Sequence, residues 1–219
     1  MTSRSGRPWS FDRDRAVETA MRLFWRHGYD GVSISDLTKA IGIAPPSLYA
    51  AFGSKAALYG EAVLRYEQTV GWLDMTAIRS ATSLAGAVRV LLERAVKSVT
   101  DPDLEAGCMI SSGMITCHPA HVSLARDAAT RRDAMRERIA EALRPFAGAD
   151  EIRRLARHLA AVMQGISIQA RDGSPPSALR DIVDDVVAGV AARFPADGAA
   201  LPDHPARSGR KAVSAPARS

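Results

Sequence analysis

Apolar side chains recur three and four residues apart along most of this chain, which is the spacing of one face of an α-helix. The alternating pattern of a strand is almost absent, and Gly or Pro closes most of the periodic segments. The pattern therefore predicts an all-α protein. The predicted helices span about 12–27, 34–41, 45–52, 55–73, 83–100, 108–117, 119–145, 151–172 and 176–193.

Residues 33–52, SISDLTKAIGIAPPSLYAAF, combine two short helical patterns with a tight turn. Ser33 lies three residues before Asp36, a spacing typical of a capping box. Gly42 lies where the first helix is expected to end with positive φ. Pro45 begins the second helix at its first position, where the N–H that proline lacks would have no partner within the helix. This is the layout of a helix-turn-helix unit, whose second helix can enter a DNA major groove.

Composition and chain breaks divide the sequence into four parts. The predicted parts are a flexible basic arm (1–10), an N-terminal three-helix helix-turn-helix domain (11–54), a C-terminal helical bundle (55–194) and a disordered tail (195–219).

The excess of Lys and Arg over Asp and Glu lies at the two ends of the chain. Residues 1–65 carry nine Lys and Arg against six Asp and Glu, whereas 66–202 carry sixteen against seventeen. A basic N-terminal module beside a neutral body favours a polyanion as its partner. Arg4 and Arg7 of the arm are suited to a narrow minor groove, although residues 1–10 are equally consistent with a terminus without a role.

Two motifs, GRPWSF and AMRLFWRHGYDGVSISDLTKAIGIAPPSLYAAFGSKAALY, strongly resemble the DNA-binding domain of TetR-type (AcrR-like) transcriptional regulators. The resemblance covers about residues 6–65 and is most specific from Gly28 to Lys55. GCMISS at 107–112 and QGISIQARDG at 164–173 are similar to regulatory-domain signatures in one branch of the family. The resemblance implies a homodimeric repressor of double-stranded operator DNA, released by a small effector bound in the C-terminal domain.

The resemblance also implies that Tyr49 contacts the DNA backbone and that Lys55 contacts a phosphate, and a helix N-terminus with a lysine is a natural anion site. The groove-facing side of the second helix offers one hydroxyl and no Arg, Asn or Gln, so we expect readout through thymine methyl groups and DNA shape. The candidate DNA-contacting residues are Arg4, Arg7, Ser33, Lys39, Pro45, Pro46, Ser47, Tyr49, Ala50 and Lys55.

Methionines and a tryptophan suggest a pocket in the C-terminal bundle, because methionine suits adaptable binding surfaces as well as irregular cores. Each residue is also compatible with plain core packing. The set predicts a largely apolar or aromatic effector. The candidates are Trp72, Met75, Leu92, Met109, Met114, Met163 and Gln164.

Cys108, Cys117, His118 and His121 form a dense group of reactive side chains. Three interpretations stay open: ordinary packing, a thiol sensor of electrophiles or oxidants acting through Cys108, and a metal site. The resemblance supports the sensor, since some regulators with a similar GC(M/L) signature respond through that cysteine.

The last two predicted helices, 151–172 and 176–193, carry apolar stripes that form either internal core or a dimer interface. Dimerisation is favoured because a single helix-turn-helix binds DNA weakly without a second half-site.

Other functional classes find little support in the sequence. There are two cysteines, no signal core and no apolar run of membrane-spanning length, so we expect a cytoplasmic protein without membrane association. No P-loop, G-x-S-x-G, H-E-x-x-H or dinucleotide motif occurs, so neither an enzyme nor a cofactor is expected. The rival interpretation is a helical ligand-binding protein with secondary DNA binding.

Overall fold

The computed structural model describes residues 11–71, 75–115 and 117–195. These residues form α-helices and two short 3₁₀ turns, Pro119–His121 and Arg144–Phe146, and contain no strand, so the all-α prediction is confirmed. The helices are α1 Arg13–His27, α2 Ile34–Ile41, α3 Pro45–Phe52, α4 Lys55–Thr69, α5 Thr76–Arg79, α6 Leu84–Val99, α7 Val122–Leu143, α8 Ala149–Arg171 and α9 Pro176–Arg193. The arm (1–10) and residues 196–219 of the tail predicted at 195–219 lie outside the described residues, as does Trp72.

Side-chain caps set the starts of four helices, α1, α2, α4 and α6. Asp12 accepts the Arg15 N–H before α1, Ser54 accepts the Ala57 N–H before α4, and Ser83 begins α6 in the same way. These starts agree with the sequence prediction to within a residue or two.

The fourth helix is shorter than predicted. It ends at Thr69, where the N–H of Gly71 bonds the carbonyl of Tyr66 at 2.7 Å, instead of continuing to residue 73. The short helix α5 was not predicted, because four residues are too few to show a helical period.

The prediction of a helix at 108–117 is wrong. Its described residues form turns, with positive φ at Gly107 (81°) just before them and at Met114 (55°). Distant partners hold this backbone: Ser167 Oγ accepts the Cys108 N–H at 2.8 Å, and Arg132 donates to the carbonyl of Gly113 at 2.9 Å. Tertiary hydrogen bonds thus override the local helical pattern. Residues 101–115 are called the α6–α7 segment below.

Two hydrophobic cores hold the chain together. The first joins α1 to α4 and includes Met109, Ile110 and Met114 of the α6–α7 segment, and the second joins α5 to α9. The buried side chains of α4 belong to the first core as far as Tyr66, so that core extends beyond the boundary predicted at residue 54. Among the helices of the described residues, none has the length and apolarity needed to cross a bilayer.

Candidate DNA-binding surface and regulatory cavity

The turn between α2 and α3 has a fixed geometry. Gly42 is left-handed (φ 80°, ψ 33°), and the N–H groups of Gly42 and Ile43 both bond the carbonyl of Thr38, at 2.9 and 3.0 Å. Leu37 and Leu48 are fully buried between the two helices. This packing sets the angle at which α3 is presented.

A complete capping box begins α2. The Ser33 backbone N–H donates to Asp36 Oδ2 at 2.8 Å, and the Asp36 N–H donates to Ser33 Oγ at 3.1 Å. The hydrogen bonds from the Ser33 side chain and backbone lower the pKa of Asp36. Ser33 is therefore occupied in stabilising the helix, and a negative charge lies beside it.

The surface of α3 is nearly free of polar groups. Pro45 and Pro46 occupy its first two positions, and Ala44 provides no side-chain cap. Tyr49 is 48% exposed, Ala50 is exposed and Ser47 is half-buried. The hydrogen-bonding side chains of this surface are thus the hydroxyl groups of Ser47 and Tyr49, together with Lys39, which is exposed at the end of α2.

Lys55, the first residue of α4, is half-buried and lies against the first core. Its Nζ is 4.2 Å from the centre of the Tyr29 ring, a cation–π distance. Burial lowers the pKa of Lys55, while Asp30 and Asp36 act in the opposite direction. The ammonium group therefore lies at a helix N-terminus, held by an aromatic ring.

His118 and His121 contact the helix-turn-helix end of the molecule. His121 Nδ1 lies 3.0 Å from Asp30 Oδ1, and the His118 N–H donates to Asp30 Oδ2 at 3.4 Å. Nδ1 is buried and makes no aligned hydrogen bond among the described residues. The predicted metal alternative is not supported: no group of three His, Cys, Asp or Glu side chains suited to a metal occurs in the described part of the chain.

The α6–α7 segment connects α1 to α8. Trp25 Nε1 donates to the Gly107 carbonyl at 3.0 Å in a buried position, and Arg26 binds both carboxylate oxygens of Glu105, at 2.7 and 3.1 Å. Arg171 of α8 donates to the Trp25 carbonyl. The segment and α8 together hold the DNA-binding helices against the bundle.

A cavity of about 70 Å³ lies between the end of α4, helices α6 to α8 and the α6–α7 segment. Its walls are mostly apolar, and the polar side chains among them are Tyr66, Ser98, Ser111, Arg132 and Gln164. The lining residues are Tyr66, Val70, Gly71, Ala95, Ser98, Val99, Cys108, Ile110, Ser111, Arg132, Met135, Ala160, Met163 and Gln164.

Two of the predicted pocket residues, Met163 and Gln164, line this cavity. Met109 and Met114 do not, because the non-helical segment turns them into the first core. Met75 and Leu92 belong to the second core.

The cavity also contains residues that the sequence did not single out. Tyr66 of α4 and Arg132 of α7 line the cavity because their helices pack against the α6–α7 segment, part of which was predicted to be helical. The three-residue spacing of Arg132 and Met135 on α7 is the one local signal that places them on a common face.

Cys108 lies at the cavity and Cys117 does not. Cys108 is half-buried, and its Sγ accepts the Ser111 N–H at 3.4 Å. Burial and the adjacent Cys108 raise the pKa of Tyr66 well above its usual value, so this phenol is neutral. Cys117 packs against the first core.

Residues 16–62 match the family described as "Bacterial regulatory proteins, tetR family". The chain is 32% identical to the HTH-type transcriptional repressor ComR of Escherichia coli, over 81% of this chain and 88% of ComR. It is 30% identical to the repressor BdcR of the same species, over 77% of this chain and 83% of BdcR. A cysteine-substituted variant of the TetR family transcriptional regulator CifR, solved in complex with 26-bp double-strand operator DNA, superimposes with a TM-score of 0.77 and 32% identity, covering 83% of this chain and 98% of that one.

Proposed function

This chain belongs to the tetR family of bacterial regulatory proteins and is a DNA-binding transcriptional regulator, and we propose that it acts as a homodimeric repressor that a small effector releases from its operator. The curated relatives ComR and BdcR are transcriptional repressors. The operator-bound CifR variant shares the fold over most of both chains.

The observation that carries the proposal is that α4 belongs to both candidate sites. Lys55 begins the helix beside α3, and Tyr66 lies eleven residues later, about 16 Å along the axis, in the cavity wall. An effector that displaces Tyr66 therefore moves the element that carries Lys55. Release then follows as a population shift toward dimers with wrongly spaced recognition helices.

For operator contacts we propose α3 and the start of α4. Tyr49 is exposed, so its phenol hydroxyl is able to donate to a phosphate oxygen, and Lys55 offers a cation at a helix N-terminus. Ser47 and Lys39 flank the same surface, and Pro45, Pro46 and Ala50 supply apolar contacts for thymine methyl groups. Arg4 and Arg7 remain candidates for the minor groove.

Dimerisation is proposed through α8 and α9. Ile168 of α8 is 45% exposed, and Leu155, Val162 and Val186 are partly buried at the edge of the second core. Apolar side chains of this kind on two terminal helices are suited to a two-fold four-helix contact. A repressor of chromosomal operators works in the cytoplasm, which is the location we propose.

The test is fluorescence anisotropy with duplex DNA from the promoter next to the protein's own gene, at stated salt. We expect saturable binding by two chains per half-site pair, and binding to a shuffled duplex of the same composition that is weaker by roughly a thousandfold or more, the lower end of regulator specificity. Equal affinity for both duplexes, and for all sequences in a selection experiment, would contradict the proposal.

A second candidate function is thiol sensing through Cys108, which is favoured by the position of its Sγ in the cavity wall beside Tyr66. Modification there adds volume where about 70 Å³ is free, so it would act as an effector does. A thiol reagent should then weaken operator binding by the wild type and by Cys117→Ser, but not by Cys108→Ser. Unchanged binding after complete modification of Cys108 would eliminate this function.

A further inference from the structure

We propose that the cavity takes a small ligand with an apolar body and an anionic group, and that the guanidinium of Arg132 binds the anion. The inference rests on the proposed function, since it names the class of effector for that cavity. It adds one charge to the largely apolar or aromatic effector expected from the sequence.

The first observation is the charge of the residues that line the cavity. Among its lining residues, all of which lie in the described part of the chain, Arg132 alone has a formal charge. The remaining walls are apolar or neutral, with Tyr66, Ser98, Ser111 and Gln164 as hydrogen-bonding groups. A cation beside apolar walls is stabilised by an anion, because neutral walls do not replace the solvation that it loses.

The second observation is the set of hydrogen-bond and ion-pair partners of Arg132. Its Nη1 donates to the carbonyls of Ile110, at 3.2 Å, and Gly113, at 2.9 Å. Within the described residues Arg132 forms no ion pair, whereas Arg131 pairs with Glu67 and Asp127. The nearby carboxylates of α4 and α7 are therefore taken by another arginine.

The shape of the guanidinium indicates the class of anion. Arginine presents its donors in a planar fork that matches the two oxygens of a carboxylate. The cavity volume of about 70 Å³ favours a small ligand, such as a short-chain or single-ring acid. Val70, Met135 and Met163 provide apolar walls for its body.

Binding at Arg132 also has a direct route to the DNA-binding helices. The carbonyls that it holds belong to the α6–α7 segment, and Gly107 of the same segment accepts the hydrogen bond from Trp25 of α1. A carboxylate competes with Ile110 and Gly113 for the N–H groups of Arg132. Occupancy therefore loosens the segment that secures α1, in addition to any movement of α4.

Calorimetry on the full chain without DNA tests the ligand class. The probes are hexanoate and benzoate, each compared with its amide, hexanamide or benzamide, which has nearly the same shape and no charge. We expect each acid to bind the wild type roughly tenfold or more tightly than its amide, as a charge-assisted bidentate contact predicts. Arg132→Gln should reduce the acids to the affinity of the amides.

Arg136→Gln is the matched control, since Arg136 lies one turn later on α7, pairs with Asp133 and does not line the cavity. It should retain the preference for acids. If Arg132→Gln does not fold, the NMR signal of Arg132 Nε in the wild type decides, because benzoate should shift it and benzamide should not.

Equal binding of acid and amide, a preference that survives in folded Arg132→Gln, or no binding of either acid at roughly 10 mM, where a millimolar ligand saturates, would overturn the inference. These measurements contain no DNA, so a failure to bind an operator leaves their outcome intact. Acid binding through Arg132 without operator release would support the ligand class and contradict only the release step of the proposed function.

Discussion

The indole Nε1 of Trp25 donates a 3.0 Å hydrogen bond to the carbonyl of Gly107, 82 residues away. Both residues are buried, and the Trp25 ring also packs edge-on against Tyr66, with ring centres 4.8 Å apart. One side chain of α1 thus contacts both the α6–α7 segment and the wall of the cavity. This relationship joins the DNA-binding helices to the regulatory site.

Replacing Trp25 by Phe should destabilise the protein by about 1–3 kcal/mol, because the buried Gly107 carbonyl loses its partner. Urea unfolding followed by circular dichroism measures the change. The control is Arg26→Gln, which removes an ion pair whose arginine is 63% exposed while Arg22 stays 4.0 Å from Glu105, and it should cost less than about 1 kcal/mol. An equal loss in the two variants would show that the indole hydrogen bond has no special weight.

Gly107→Ala should destabilise the protein by roughly 1–3 kcal/mol. Gly107 has φ 81°, and an added Cβ would lie 2.6 Å from Arg171 Cγ and 2.8 Å from the Ser167 carbonyl oxygen. Gly60 is the matched control, because it lies inside α4 with open space around its Cβ position. Gly60→Ala should stabilise the protein by about 0.5–1 kcal/mol, and a loss of stability there would contradict the packing described for α4.

Ser33→Ala should lower the thermal midpoint at neutral pH by a few degrees, because it breaks the capping box of α2. The folded-state pKa of Asp36 is lowered by Ser33, so this stabilisation is present above the ordinary carboxyl pKa and is lost as the pH falls through the lowered value. The difference between wild type and variant should therefore shrink in acid. NMR titration should show the pKa of Asp36 rising toward its usual value in the variant, and an unchanged pKa would refute the coupling.

Tyr59→Phe should make stability less sensitive to alkali. Burial raises the pKa of Tyr59 to about 12, so between pH 10 and that value the unfolded chain loses a proton that the folded chain keeps. Stability of the wild type should fall over this window by on the order of 2–3 kcal/mol on account of this phenol. Unfolding measured at several alkaline pH values should show a shallower decline in Tyr59→Phe, with the exposed Tyr49→Phe as control. Equal declines in both variants would contradict the burial effect.

The features that the sequence predicted correctly are set by local residue preferences. Ser33, Gly42 and Pro45 fix the ends of α2 and α3 through their own backbone preferences, and the all-α class follows from the helical period. Each of these features depends on residues within one turn of the chain.

The regulatory half was less predictable because long-range contacts form it. The hydrogen bonds from Arg132 to Ile110 and Gly113 span about twenty residues and replace the helix predicted at 108–117. Their effect is to turn Met109 and Met114 away from the cavity and to place Arg132 at its wall. No helical period in the sequence predicts these long-range hydrogen bonds. The position of Arg132 at the cavity therefore follows only from the structure.

The most direct test of the central claim, operator binding by α3 and the start of α4, is the salt dependence of specific DNA affinity in Lys55→Gln. A lysine that neutralises one phosphate contributes a slope of about 0.9 in the logarithm of affinity against the logarithm of salt concentration. We predict that Lys55→Gln weakens operator binding and reduces the slope by roughly this amount. Lys97→Gln, which alters an exposed lysine of α6, should leave both values unchanged. The same slope for wild type and Lys55→Gln would contradict the account.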